Sequence, residues 1–136
     1  MVLIQGRYAD VVNFFSTTLQ IFDRSKPAAI PGAVGSAATG AGPVSVQVQG
    51  RYAYVVNSSS NTLQVFDISN PAAIGTAVGS AATGSSRFSV QVQGRYAYVV
   101  NQISNTLQVF DISNPAAIGA AVGSAATGSA PRSVQV

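Results

Sequence analysis

The chain has 136 residues, a one-domain length, with 7 Lys+Arg, 4 Asp+Glu, no His and no Cys. Only 8 % of it is charged, and the +3 net charge is spread over Arg7, Arg24, Lys26, Arg51, Arg87, Arg95 and Arg132, with no basic cluster for nucleic acid. The missing Cys excludes disulfides and thiolate metal sites, and no apolar run approaches the ~20 residues of a membrane helix.

The chain opens on Met1 to Gln5, too short and uncharged for a signal peptide. QGRYA follows at Gln5 and returns at Gln49 and Gln93, a spacing of 44 both times. TLQ-apolar-FD recurs from Thr18, Thr62 and Thr106, PAAI from Pro27, Pro71 and Pro115, and AVGSAATG from Ala33, Ala77 and Ala121. The chain therefore divides into repeats 1–44, 45–88 and 89–132, with 133–136 repeating the opening SVQV of the second and third copies. Residues 133–136 are expected to be the first strand of a fourth unit.

Within the second copy, Ser45 to Gln49 alternates polar and apolar residues and predicts a strand. Gly50-Arg51 is a tight hairpin connection. Tyr52 to Asn57 is aromatic and β-branched, and predicts a second strand. Ser58 to Asn61 is a polar loop, and Thr62 to Ile68 a third strand, ended by Ser69-Asn70-Pro71 because proline cannot donate to a ladder. Thr76 to Thr83 predicts a weak fourth strand of small residues, and Gly84 to Arg87 leads to the next unit.

The middle strands are apolar on both faces. Tyr52, Tyr54 and Val56 point one way and Ala53 and Val55 the other; Leu63 and Val65 oppose Phe66 and Ile68. A sheet with one wet face would alternate cleanly. Cover on both sides comes from stacking four-stranded sheets radially, so the expected fold class is all-β, three β-propeller blades. Typical rings have four to eight blades, so a ring is expected to be completed by homo-oligomerisation: two chains giving six blades, the smallest ring in that range and the one favoured, or else three giving nine.

YAYVVN from Tyr52, NTLQVFDI from Asn61 and Ser69-Asn70-Pro71 resemble the LVIVD and YVTN-type propeller repeats of bacterial and archaeal surface proteins. The resemblance covers the whole chain and implies a propeller with an extracellular or cell-surface location. It carries over no catalytic residues.

Asp23, Asp67 and Asp111 each precede a Ser-x-Pro turn, where a carboxylate caps nearby backbone N–H groups. Arg7, Arg51 and Arg95 recur in the first hairpin, as solvated charges or partners of a nearby Asp. Without His or Glu no serine has a base and no metal has a ligand shell, so no catalytic residue, metal or cofactor is expected. The GSAATG runs lack the Gly-Lys-Ser/Thr of a phosphate loop.

Copies two and three differ mainly at Ser58/Gln102, Ser59/Ile103, Arg87/Pro131 and Phe88/Arg132, and the first copy places Phe14 and Phe15 in the corresponding loop. In a propeller these loops share one face of the disc, and loops on a rigid scaffold carry function. The expected function is a non-enzymatic scaffold whose loops meet a protein or glycan ligand, with no nucleic acid and no membrane insertion. The alternatives are a fibre or surface-layer element built by blade contact, and a designed or reconstructed repeat protein.

Overall fold

The computed structural model describes residues 1–85 and 89–136, with Gln5 described in its backbone only. Twelve strands form three antiparallel sheets of four, each a meander in chain order. The first holds β1 (Val2–Gln5), β2 (Tyr8–Asn13), β3 (Thr18–Asp23) and β4 (Gly35–Ala38). The second holds β5 (Pro43–Gln49), β6 (Tyr52–Asn57), β7 (Thr62–Asp67) and β8 (Gly79–Ala82). The third holds β9 (Ser89–Gln93), β10 (Tyr96–Asn101), β11 (Thr106–Asp111) and β12 (Gly123–Ala126). A 3-10 turn, Pro27–Ala29, Pro71–Ala73 or Pro115–Ala117, separates the third and fourth strands of each sheet.

The two-sided apolar pattern does what it predicts. One core joins the first and second sheets: Leu19, Ile21 and Ala37 meet Val46, Val55, Phe66 and Ile74. The other joins the second and third: Tyr54, Val56, Leu63 and Val65 meet Val90, Val99, Phe110 and Ile118. The middle sheet thus buries both faces, the arrangement of stacked propeller blades.

Two expectations are sharpened. The fourth strand is short, Gly79–Ala82 and not Thr76 to Thr83, and at its start Gly79 packs against the next blade: a Cβ there would run into the carbonyl oxygen of Pro115. Ser133 to Val136, expected as a strand, form none among the described residues. A first strand of this kind is held by the strand that follows it, as β5 is by β6 and β9 by β10.

Candidate functional site

The hairpins joining the first and second strands build the same unit three times. Gly50 turns the chain with φ +61°, where a side chain is strained. Arg51, next in sequence, bonds Asp67 at the end of β7, and its guanidinium lies 5.6 Å from the centre of the Tyr52 ring. The other Asp67 oxygen accepts the Ser69 N–H at 3.0 Å, capping the turn before Pro71. Arg7, Tyr8, Asp23 and Ser25 repeat the unit, as do Arg95, Tyr96, Asp111 and Ser113. Hydrogen bonding from arginine holds all three carboxyls well below the usual carboxylate range. Carboxylates so engaged are poor proton acceptors.

A cleft opens between neighbouring hairpins at each internal blade junction. Between the second and third blades it measures about 430 Å³ and is lined by Arg51, Tyr54, Arg95 and Ile112. Between the first and second it measures about 330 Å³ and is lined by Arg7, Tyr8, Asp10 and Ile68. The two clefts are equivalent, but Asp10 stands where the other copies have Tyr54 and Tyr98. Asp10 is 2 % exposed, its Oδ2 bonds nothing, and burial raises its pKa to about 6. Loop differences do not reveal Asp10; the signal for it is the change from Tyr54 and Tyr98 to Asp at one strand position. Among the described residues no three His, Cys, Asp or Glu side chains come together.

The opposite ends of the blades carry the turns between second and third strands. Phe14 and Phe15 stack edge-on with ring centres 5.0 Å apart, and Phe15 is 96 % exposed. Ser58 and Ser59 occupy the same turn of the second blade, and Gln102 and Ile103 that of the third. The inter-blade loop is tied to these turns: Gly42 O accepts the Ser58 N–H at 2.7 Å, and Ala41 O the Ser59 N–H at 3.1 Å. A Cβ on Gly42 would lie 3.0 Å from the Phe14 ring, so turns of two adjacent blades meet across this loop. At the third blade the Ala130 N–H donates to Asn105 Oδ1 at 2.7 Å, which brings Pro131 and Arg132 to the same end. Arg87 and Phe88 lie outside the described residues.

Three meander sheets stacked through shared apolar faces define a run of β-propeller blades. The chain belongs to the Lactonase, 7-bladed beta-propeller family, whose sequence profile matches residues 9–135. No curated protein matches it in sequence. Among solved structures it is similar to a proposed 6-phosphogluconolactonase from Bacteroides fragilis, with 16 % identity, a TM-score of 0.84, and coverage of 98 % of this chain and 40 % of that one. It is similar to the periplasmic gluconolactonase of Pseudomonas aeruginosa, with 21 % identity, a TM-score of 0.79, and coverage of 96 % and 40 %. It is also similar to the computationally designed Ika4 protein, with 9 % identity, a TM-score of 0.76, and coverage of 99 % and 77 %. The chain spans about two fifths of the length of the two bacterial propellers.

Proposed function

We propose that the chain is a non-enzymatic propeller scaffold of the surface-protein repeat type, presenting loops of one face to a protein or glycan ligand. The difference between its two faces carries this reading. On one face Arg7, Arg51 and Arg95 repeat one clamp without variation. On the other, equivalent turn positions hold Phe14-Phe15, Ser58-Ser59 and Gln102-Ile103, with Phe15 and Ile103 well exposed. Exposed apolar side chains rimmed by polar ones mark interaction surfaces, and aromatic residues are enriched there.

The test is a screen of the immobilised protein against a glycan array and a phage-displayed peptide library. Binders are expected whose signal falls at least tenfold on a Phe14→Ser, Phe15→Ser, Ile103→Ser variant. A screen without binders, or binders indifferent to the triple change, overturns the reading.

A second reading, lactone hydrolysis, is favoured by the family match. Against it, three of the four carboxylates are held by arginine, which leaves Asp10 as the one acid not so engaged. Gluconolactone and its 6-phosphate should hydrolyse at the uncatalysed rate. Turnover abolished by Asp10→Asn would establish the enzyme instead.

A further inference from the structure

The cleft between the first two blades holds a charge that its surroundings do not answer. Asp10 lies in the middle of β2, between Tyr8 and Val12 on the face turned toward the second blade. Its partners across the sheet are Leu3 and Ile21. All four of these neighbours pack into the apolar core shared with Val46 and Val48 of the second blade. The other copies put a phenol at this position, Tyr54 and Tyr98. The first copy puts a carboxyl there, 2 % exposed, whose Oδ2 has no hydrogen-bond partner among the described residues. A carboxylate buried in this way is costly until a cation pairs with it.

The side chains around the cleft do not supply that cation. Arg7 and Tyr8 line it from the first blade, and Arg7 is committed to Asp23. Gly50 and Ile68 line it from the second, and neither titrates. Arg51, next to Gly50, is committed to Asp67. Burial raises the Asp10 pKa to about 6, so at neutral pH the group is mostly ionised. The cleft has room, about 330 Å³, and an open mouth: Gly6 and Gly50 are exposed, and a Cβ on either would meet nothing within 4 Å.

We infer that this cleft binds a primary ammonium group carried on a short aliphatic stem, the ammonium donating to Asp10 and the stem lying along Tyr8 and Ile68. A neutral hydroxyl would fill one acceptor site of the carboxylate and leave its charge unpaired. A calcium or magnesium ion needs a shell of oxygens that one carboxylate does not provide. A guanidinium is a planar fork that pairs best with both oxygens of an accessible carboxylate, whereas the compact ammonium suits one reached through a narrow opening. A free amine and the lysine side chain of a peptide share this chemistry. Both walls of the cleft belong to blades of this chain, so the site is independent of how many blades the ring holds. It lies at the opposite end of the blades from the variable turns and requires no turnover, so it stands apart from both loop display and lactone hydrolysis.

The test is titration of the full chain at neutral pH, followed by NMR. n-Butylamine should shift the signals of Asp10 and Ile68 saturably, with a Kd of about 1 mM, and n-butanol, the same stem without the charge, should bind at least about tenfold more weakly. A capped Gly-Lys-Gly peptide distinguishes the two sources, and either result supports the site: tighter binding than butylamine points to a lysine of a protein partner, equal or weaker binding to a free amine. Asp10→Asn keeps the shape, removes the charge and should weaken butylamine at least about tenfold. Asp10→Tyr installs the residue of the other two copies and should abolish binding. In wild type, saturating butylamine should also bring the Asp10 pKa down from about 6 toward its ordinary value, read from the carboxyl carbon signal. That readout decides if Asp10→Asn fails to fold. Butylamine without saturable binding, butanol binding as well as the amine, an affinity that Asp10→Asn leaves intact, or an Asp10 pKa that the amine does not move overturns the inference.

Discussion

Gln64 in the second blade accepts the backbone N–H of Gly40, 24 residues earlier in the first, at 2.8 Å through the same oxygen that holds Asn57 Nδ2 at 2.8 Å. Gln108 does the same for Gly84 and Asn101. The side-chain amide thus fastens the loop between blades to the strand that follows. Gln64→Leu keeps most of the volume, leaves the Gly40 N–H without its acceptor and takes one of two acceptors from Asn57 Nδ2, which keeps Thr62 Oγ1 at 3.1 Å, at a cost of about 1–3 kcal/mol. Among the described residues, Gln20 bonds within its own blade, with Asn13 at 2.9 Å. Gln20→Leu should cost roughly half as much. Urea unfolding of both variants measures the difference; equal losses would refute the cross-blade role.

Gly79 and Gly123 hold the same place in successive copies and differ only in what lies above them. Gly79→Ala forces the Pro115 carbonyl to move, so stability should fall by about 2–3 kcal/mol at every protein concentration. Gly123→Ala has open space above it in the single chain. Its effect on stability should therefore stay within about 0.5 kcal/mol.

Much of this organisation is legible in the residues. The 44-residue period fixes the unit, and the opposed faces of Tyr54 with Val56 and of Ala53 with Val55 fix the stacking, since those two sets fall into the two separate cores. The packing of Gly79 on Pro115 is not legible, because the two lie 36 residues apart and meet only once the blades stack. The turn at Pro71 reads from sequence as a break, while its role as the lid on Gly35 exists only once two blades are packed. Asp10 was legible in principle. A carboxyl in a column of tyrosines is a chemical change at a core position, and it marks the first junction as different from the second.

Stability should depend on pH through that residue. The folded-state pKa of Asp10 is raised from 3.8 to about 6 by burial, so the native state binds more protons between those values. Stability therefore falls as pH rises from about 4 to about 6, by an amount on the order of 2 kcal/mol after allowance for solvent screening. The charged groups nearest it do not reverse this, since Arg7 in the same cleft is bonded to Asp23. The three clamp carboxyls act in the other direction. Their pKa values are lowered, so their contribution is complete above about 4 and is lost as pH falls below it. Stability should peak near pH 4. Asp10→Asn should flatten the upper limb and leave the acid limb in place; an unchanged slope between pH 4 and 6 would show that Asp10 is not its source.

The turn between the second and third strands ends in a left-handed residue in every copy: Thr17 at φ 52°, Asn61 at 51° and Asn105 at 53°. Asparagine tolerates that conformation, and a β-branched residue does not. The position is held because its carbonyl accepts a backbone N–H after the fourth strand: Thr17 from Thr39 at 2.9 Å, Asn61 from Thr83 at 3.0 Å, and Asn105 from Thr127 at 3.0 Å. The turn therefore cannot relax without releasing the outer edge of its sheet, and the first blade carries the strain. Thr17→Asn should stabilise the chain by about 1 kcal/mol. The gain should appear as added hydrogen-exchange protection at Thr39, with that at Thr83 and Thr127 unchanged. A neutral or destabilising Thr17→Asn would mean that the Thr17 side chain makes a compensating contact in this turn.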